Sequence, residues 1–344
     1  MAERSKLYFA SDVHLGAGTY AGSREREDRL VRWLDMIKTD AAEIFLMGDL
    51  FDFWFEYKTV VPKGYIRLLG KLAELSDAGI KIYFFKGNHD MWMFNYFEKE
   101  LNAVVISDEL VIERNGKKFF LHHGDGLGPG DSMYKVLKKF FRSGFCQWLF
   151  ARIHPNLGIG IANYWSQHSR IAGAKDKDKI DTQQEWLVIY CREVLKKTFY
   201  DYMVFGHRHV PLDITLDEKS RYINLGEWVY YNSYAVFDGE DIKLEYFENS
   251  SIVTLLDEIK TAHEMVIYRI NTANEQGVTN IQAYYTLKDG LEALIKEVES
   301  KGSISHDLYS QWSLKVMGWV SRVLEGDPLL DKVIEIDNVI SSKK

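Results

Sequence analysis

Residues 80–90 form the stretch Ile80-Lys81-Ile82-Tyr83-Phe84-Phe85-Lys86-Gly87-Asn88-His89-Asp90. A short run of aromatic and β-branched residues that ends near a glycine is typical of a buried strand. The polar residues that follow the run are of types that bind metal ions. The stretch therefore predicts a strand that carries a metal-binding loop at its carboxyl end.

Four other apolar runs end in a similar way. They are the run 7–10 before Asp12-Val13-His14, the run 44–47 before Gly48-Asp49, the run 119–121 before His122-His123-Gly124-Asp125, and the run 202–205 before Gly206-His207-Arg208-His209. A single aspartate or histidine at a strand end more often belongs to a turn or a cap than to a metal site. Five such motifs favour a metal site, because open α/β sheets place their sites at the carboxyl ends of the strands.

The segments around these motifs define the fold class. Helical patterns, for example at 24–38 and 65–78, alternate with the strands, which predicts an α/β layered domain. From 221 to 247 the pattern changes to short strands, and Asp238-Gly239 predicts a hairpin turn.

The spacing of the polar residues indicates chemistry with two metal ions. Asp12 and His14 are two positions apart, as are His207 and His209, so each pair would project to one side of an extended strand. Carboxylate, imidazole and amide ligands suit Mn²⁺, Fe²⁺ or Zn²⁺, and the neighbouring glycines would let the backbone approach a ligand. Two divalent ions about 3.5–4 Å apart can generate a nucleophile and stabilise a phosphoryl group during displacement. We predict a dinuclear phosphoesterase in which Asp49 bridges the ions.

Composition narrows the class of protein further. The chain has 43 basic and 50 acidic residues, and its formal net charge of −7 argues against general nucleic-acid binding. Two cysteines without a CxxC pair favour free thiols in a reducing cytosol. The N-terminus lacks the apolar stretch of a signal peptide, and no window approaches 18 uninterrupted apolar residues. We expect a cytosolic protein.

An unusual basic and aromatic segment lies between the fourth and fifth motifs. Residues 133–175 contain seven basic and eight aromatic residues and no acidic residue. This composition suits an anionic ligand with an apolar tail, or a membrane surface. It equally fits an ordinary helical hairpin whose aromatic residues form a core and whose lysines are solvated. Binding of single-stranded nucleic acid is disfavoured by the overall acidic balance.

The last part of the chain has a different character. Residues 251–344 show helical apolar spacing, interrupted at Gly302 and at Gly326-Asp327-Pro328, and contain no catalytic motif. We predict two parts, a catalytic domain at 1–250 and an appendage of three or four helices at 251–344. The appendage could bind a protein partner, mediate self-association or only pack.

The five motifs together resemble those of the calcineurin-like metallophosphoesterase superfamily. The resemblance implies a β-sandwich flanked by helices, with one metal ion held by Asp12, His14, Asp49 and His209. It implies a second ion held by Asp49, Asn88, His123 and His207. His89 would serve as proton donor or charge stabiliser beside the phosphate, and Asp90 would orient it. His122 would pack or cap.

A closer resemblance covers residues 7–247, which look like the UDP-2,3-diacylglucosamine hydrolases of lipid A biosynthesis. It rests on Gly48-Asp49-Leu50-Phe51-Asp52-Phe53-Trp54, on the basic and aromatic segment 133–175, which we call the insertion, and on Leu225-Gly226-Glu227-Trp228. The implied reaction cleaves the substrate's pyrophosphate into UMP and 2,3-diacylglucosamine 1-phosphate, with Mn²⁺ as the expected metal. It implies a helical cap at about 133–180 that takes the acyl chains, and a peripheral position on the cytosolic face of the inner membrane. The implied substrate-binding residues are Asp131, Tyr134, Ser169, Arg170 and Lys175.

Three features depart from this pattern. The family often has arginine where this chain has His89, and a smaller residue where it has Arg208. Residues 251–344 lie outside the resemblance. Two alternatives therefore stay open: a calcineurin-like phosphoesterase with another phosphodiester, nucleotide or phosphomonoester substrate, and a scaffold that recruits a partner through the appendage.

Overall fold

The computed structural model describes residues 4–127, 132–162, 166, 185–229, 231–248, 250–272, 280–301, 304–324 and 327–342. The chain separates into two compact units, which we call unit 1 (Met1–Phe247) and unit 2 (Glu248–Lys344). Each unit has a hydrophobic core of its own, so the chain has the organisation of two domains.

Unit 1 is built on two β-sheets. Its strands are β1 Lys6–Ala10, β2 Ala41–Leu46, β3 Lys81–Phe85, β4 Val104–Ile106, β5 Leu110–Arg114, β6 Lys117–His122, β7 Tyr202–Phe205, β8 Pro211–Thr215, β9 Arg221–Leu225, β10 Ser233–Phe237 and β11 Ile242–Tyr246. One sheet has the order β11-β10-β1-β2-β3-β4 and the other has the order β5-β6-β7-β9-β8. The strands β1 to β4 are parallel, as are β6, β7 and β9, and antiparallel strands complete both sheets.

The helices of unit 1 lie mostly in the connections between these strands. They are α1 Tyr20–Ile37, α2 Ile66–Asp77, α3 Tyr96–Leu101, α4 Ser132–Phe141, α5 Gly144–Phe150, α6 at 155–162 and α7 Trp186–Leu195. Helix α1 begins four residues before the predicted start, because the Thr19 side chain accepts a hydrogen bond of 3.1 Å from the Gly22 amide and caps the helix there. The predicted hairpin at Asp238-Gly239 is present between β10 and β11.

The two sheets pack face to face through alternate residues of their strands. Leu7 and Phe9 of β1 lie in one buried cluster with Phe119 and Leu121 of β6, and the rings of Phe9 and Phe119 stack at a centroid distance of 6.2 Å. Because successive side chains of a strand point to opposite faces, Tyr8 lies instead in the cluster beneath α1 and α2. The predicted sandwich flanked by helices is confirmed.

The described part of the insertion packs against the rest of unit 1 and also exposes apolar side chains. Phe150 lies 4.8 Å from Phe55, ring centre to ring centre, and the Trp92 indole N–H donates to the Phe141 carbonyl oxygen at 2.9 Å. Six of its apolar side chains are nevertheless more than half exposed: Val136, Phe140, Phe145, Trp148, Leu149 and Leu157. Some aromatic residues therefore form a core, whereas others present an apolar surface. Within the predicted cap, residues 163–165 and 167–180 lie outside the described residues.

Unit 2 is a helical bundle. Its described helices are α8 Ser250–Asn271, α9 Ile281–Lys301, α10 His306–Trp312, which continues through a π-helical turn Ser313–Val320 into α11 Ser321–Val323, and α12 Pro328–Ser342. Val266, Leu287, Val316 and Ile336 are buried in its core. None of the helices in the described part of the chain combines the length and the apolar character needed to cross a membrane.

Candidate metal centre

The five sequence motifs follow strands of both sheets. Strands β1, β2 and β3 belong to one sheet, and β6 and β7 belong to the other. The polar side chains that follow these strands nevertheless form adjoining clusters. The centre therefore depends on the packing of the two sheets.

The first cluster contains four of the predicted ligands. Ligand atoms of Asp12, His14, Asp49 and His209 all lie within 4.8 Å of one another. The Nε2 atoms of His14 and His209 are 3.3 Å apart, and His209 Nε2 is 3.3 Å from Asp12 Oδ1. These atoms surround one point and can hold one cation there.

The second cluster shares Asp49 with the first. It consists of Asp49, His123 and His207. Asp49 Oδ2 lies 3.4 Å from His123 Nε2 and 3.9 Å from His14 Nε2, so the same oxygen faces a histidine of each cluster. The Asn88 side-chain oxygen lies 3.3 Å from His123 Nε2 and completes this group. This is the arrangement expected of a carboxylate that bridges two cations.

The hydrogen bonding of the two aspartates supports cation binding. Asp12 Oδ2 accepts a bond of 2.9 Å from the His207 amide, and Asp49 Oδ1 accepts one of 2.8 Å from the His89 amide. The other oxygens, Asp12 Oδ1 and Asp49 Oδ2, are buried and have no hydrogen-bond donor. Because a buried carboxylate oxygen without a partner is costly, both positions fit a metal ion.

A hydrogen bond orients the ring of His123, one of the predicted ligands. The ring atom His123 Nδ1 lies 2.8 Å from the Met47 carbonyl oxygen. Because a carbonyl oxygen only accepts, Nδ1 carries the proton and donates. His123 Nε2 therefore faces Asp49, and it offers its lone pair to a metal once the metal displaces the proton at this nitrogen, which is the usual hydrogen-bonding pattern of metal-binding histidines.

The pKa values of the buried aspartates and histidines indicate that the site has too little positive charge to balance its carboxylates. Burial raises the pKa of Asp12 and of Asp90 to about 7. Burial disfavours the charged form of His123, but the Asp49 carboxylate outweighs this effect and raises the pKa of His123 to about 10. Burial lowers the pKa of His207 to about 3. Without metal ions, protons balance part of the buried negative charge, and divalent cations would replace them.

The backbone of the ligands differs from the sequence prediction. Strand β1 ends at Ala10, and Asp12 and His14 have positive φ angles of 55° and 48°. His207 and His209 also have positive φ angles, of 69° and 56°. The prediction that each pair projects from an extended strand is therefore wrong. Left-handed residues in tight turns bring the side chains together, and such strained conformations are typical of functional sites.

Three glycines make room for the ligand side chains. A Cβ atom on Gly206 would lie 2.5 Å from Asp12 Oδ2, and one on Gly48 would lie 2.8 Å from His123 Cγ. A Cβ atom on Gly87 would overlap the Asp49 carboxylate. The sequence predicted that these glycines let the backbone approach a ligand, whereas in the structure they pack closely against side chains of the predicted metal ligands.

The surroundings of His89 correct the role predicted for Asp90. The carboxylate of Asp90 is fully buried and accepts hydrogen bonds from backbone amides, including those of Gly87 at 2.8 Å and Leu50 at 2.9 Å. The Asp90 carboxylate therefore links the loop after β2 to the loop after β3. Asp52 lies against the His89 ring instead, with Oδ1 at 3.5 Å from Nδ1.

Sequence reasoning missed Asp52 as a site residue. Asp52 Oδ1 is also 3.6 Å from His14 Nδ1, so one carboxylate faces both His14 and His89. The available signal was its position three residues after Asp49 in the same strand-end motif.

Two further residues of the fourth motif have structural partners. His122 Nδ1 accepts a hydrogen bond of 2.7 Å from the Gly124 amide and so caps the turn, in line with the role suggested for it. The hydroxyl of Tyr134, a predicted substrate-binding residue, donates to Asp125 at 2.8 Å, and Lys138 pairs with the same carboxylate oxygen. The other predicted substrate-binding residues lie outside the described residues: Asp131, Ser169, Arg170 and Lys175.

Arg208, between two predicted ligands, has partners next to the centre. Its Nε atom lies 2.8 Å from the buried carboxylate of Glu185, and its guanidinium lies 5.8 Å from the centre of the Trp186 ring. The Trp186 ring meets His207 edge-on at 6.1 Å. Arg208 thus links the start of α7 to the loop that carries His207 and His209.

Comparison with known proteins agrees with this arrangement. The sequence profile of the calcineurin-like phosphoesterase family matches residues 5–211. The chain belongs to the calcineurin-like phosphoesterase family.

Curated relatives indicate a narrower group. The UDP-2,3-diacylglucosamine hydrolase of Porphyromonas gingivalis is 42% identical over 259 residues, which cover 72% of this chain and 99% of that protein. The UDP-2,3-diacylglucosamine hydrolase of Aeromonas salmonicida is 28% identical over 246 residues, covering 69% of this chain and 91% of that protein. A dimetal phosphatase structure from Danio rerio covers 72% of this chain and 100% of its own at 12% identity, with a TM-score of 0.35, which is too low to add to the assignment.

Proposed function

We propose that this protein hydrolyses the pyrophosphate bond of UDP-2,3-diacylglucosamine. Water adds to the phosphorus atom next to the uridine, the bridging P–O bond breaks, and the products are UMP and 2,3-diacylglucosamine 1-phosphate. The observation that carries the proposal is the shared position of Asp49 in two adjoining clusters of ligands, in a chain 42% identical to a hydrolase of this name.

The proposed metal ligands are Asp12, His14, Asp49 and His209 for one ion, and Asp49, Asn88, His123 and His207 for the other. When bound, two divalent ions supply charge that polarises the pyrophosphate and lowers the pKa of water. We propose Mn²⁺, because carboxylate, imidazole and amide donors suit it and neither cluster contains a thiolate.

His89 is the proposed catalytic residue beside the phosphate. Its side chain is 12% exposed, so one edge of the ring is accessible from the solvent. The Nδ1 atom faces Asp52, which leaves Nε2 to donate a proton or to stabilise negative charge on a phosphate oxygen. Asp90 acts indirectly, because it holds the loops that carry Asp49 and Asn88.

The insertion supports a lipid substrate. Helix α4 exposes the apolar Val136 and Phe140 together with Lys135 and Lys139, and the next helix, α5, exposes Trp148. An apolar surface with basic residues suits acyl chains and an anionic membrane surface. We therefore place the enzyme in the cytoplasm, peripherally on the inner membrane, and keep Tyr134 as a residue that contacts the substrate.

One observation favours another phosphoester as substrate. This chain has His89 where UDP-2,3-diacylglucosamine hydrolases often have arginine, and histidine is the commoner residue in the wider superfamily. A calcineurin-like phosphoesterase with a different phosphodiester, nucleotide or phosphomonoester substrate would have the same metal centre.

The decisive experiment uses isotope labelling. The purified protein is incubated with Mn²⁺ and UDP-2,3-diacylglucosamine in detergent micelles in ¹⁸O-labelled water, and the products are analysed by mass spectrometry. We expect labelled UMP and unlabelled sugar 1-phosphate. Hydrolysis of a generic phosphodiester without turnover of the lipid would retain the metal centre and reject the substrate.

A further inference from the structure

Ser166 of the insertion reaches the His89 site. Its side chain is buried, with a relative exposure of 7%. Its Oγ atom lies 2.8 Å from Asp52 Oδ1 and 3.2 Å from His89 Nδ1. The insertion therefore contributes a hydroxyl to the group that surrounds the proposed catalytic histidine.

The direction of these hydrogen bonds follows from the groups involved. An ionised carboxylate only accepts, so the Ser166 hydroxyl donates to Asp52. The hydroxyl oxygen then has lone pairs left to accept a bond from His89 Nδ1–H. The Asp52 carbonyl oxygen, 3.2 Å from the same Nδ1, is also an acceptor. These neighbours together hold a proton on Nδ1, so the ring donates from Nε2 as the imidazolium, which carries a proton on both nitrogens.

We propose that Ser166 is a positioning residue that fixes the ring orientation and the tautomer of His89. The inference rests on the proposed role of His89 in phosphoester hydrolysis. A second contact strengthens it, because Asp52, which receives the Ser166 bond, also faces His14 at 3.6 Å. One hydroxyl thus stabilises a carboxylate that contacts both a proposed ligand and the proposed catalytic residue.

A purely structural role for Ser166 would have different consequences. If the hydroxyl only seated the insertion, its loss would weaken binding of the acylated substrate and would spare a small substrate without acyl chains. Ser143 offers a matched control, because it is also in the insertion and its Oγ atom bonds only backbone groups, the Cys146 amide and the Phe140 carbonyl.

The test compares Ser166→Ala, Ser166→Thr and Ser143→Ala with the unmodified protein. Each is assayed with Mn²⁺ on bis(p-nitrophenyl) phosphate and on UDP-2,3-diacylglucosamine in micelles. We expect Ser166→Ala to lower kcat about tenfold on both substrates, with KM nearly unchanged, since loss of a supporting hydrogen bond typically costs about 10–100-fold. Ser166→Thr should restore most of kcat, and Ser143→Ala should leave kcat on the small diester unchanged.

Two results would overturn the proposal: an unchanged kcat of Ser166→Ala on the small diester, or an equal loss of kcat in Ser143→Ala. A second measurement covers the case in which Ser166→Ala does not fold. Long-range ¹H–¹⁵N spectra of the histidine-labelled protein, assigned with His89→Gln, should show the His89 proton on Nδ1, and a proton on Nε2 alone would refute the inference. Absence of turnover by the unmodified protein would count against the proposed function, while the spectra would still decide whether His89 holds the proton on Nδ1 that the inference requires.

Discussion

Gly87→Ala is the sharpest test of the metal centre. Gly87 follows β3, and a Cβ atom there would lie 2.5 Å from the Asp49 amide nitrogen and 2.7 Å from Asp49 Cγ, besides overlapping Oδ1. These distances are far below van der Waals contact, so Asp49 has to move by about 1 Å to accommodate the methyl group. A displacement of about 1 Å in a catalytic group costs on the order of 100-fold in rate.

Gly70→Ala provides the matched control. Gly70 lies on the exposed side of α2, and a Cβ atom there would contact nothing within 4 Å. Alanine stabilises a helix interior relative to glycine by about 0.5–1 kcal/mol, so this variant should unfold at a slightly higher temperature and keep its activity. Gly87→Ala should lose stability and activity together.

The assay combines Mn²⁺-dependent hydrolysis of bis(p-nitrophenyl) phosphate with calorimetric titration of the metal. We expect Gly87→Ala to lose about 100-fold in kcat and to bind the metal ions more weakly, because the displaced carboxylate serves both clusters. A Gly87→Ala protein with unchanged kcat and two tightly bound ions would refute the assignment of Asp49 as a tightly packed bridge.

Three further predictions follow from the same geometry. Asp49→Ala should abolish turnover and reduce the metal content below two ions, since both clusters contain this residue; measurable turnover would contradict a bridging role. Removal of residues 248–344 should leave kcat unchanged, because unit 1 has its own core and all the proposed ligands. A folded but inactive truncation would contradict this prediction, and light scattering of both forms would show whether unit 2 mediates self-association. Metal affinity should fall as the pH falls, since a metal ion must displace the proton that His123, with its pKa of about 10, carries at neutral pH. As the pH is lowered towards 7, calorimetry should show the metal affinity falling about tenfold per pH unit. Below pH 7 the affinity should fall more steeply, because Asp12, with its pKa of about 7, also takes up a proton. An affinity that is independent of pH would argue against these residues as ligands.

Several features of the fold and the site were predictable from the sequence because they depend on local patterns. Short apolar runs such as 119–121 mark buried strands, and the structure shows that successive residues of this run face opposite sides of the sheet. A run of ligand types after each strand marks the site, since strand ends are where loops carry chemistry. These local signals were sufficient to predict an α/β layered domain and a dinuclear phosphoesterase, whereas the sandwich and the division of the ligands between two ions were implied by the resemblance of the motifs to a known superfamily.

Other features were decided only by the tertiary structure. The assembly of ligands from two sheets depends on packing between β1 and β6, residues more than 100 positions apart. The left-handed residues Asp12 and His207 make hydrogen bonds with distant loops, since the Asp12 amide donates to the Gly48 carbonyl oxygen and the His207 amide donates to Asp12 Oδ2, and local propensity disfavours their conformation.

The different roles of Asp52 and Asp90 were also decided only by the tertiary structure. Both aspartates lie in strand-end motifs and look equally suited to orient His89. The fold directs Asp90 to the backbone amides of two loops and Asp52 to two histidine rings. The sequence by itself therefore determined which residues could form the centre, and tertiary structure decided their partners, because the hydrogen bonds and steric contacts that orient a side chain come from segments far away in the chain.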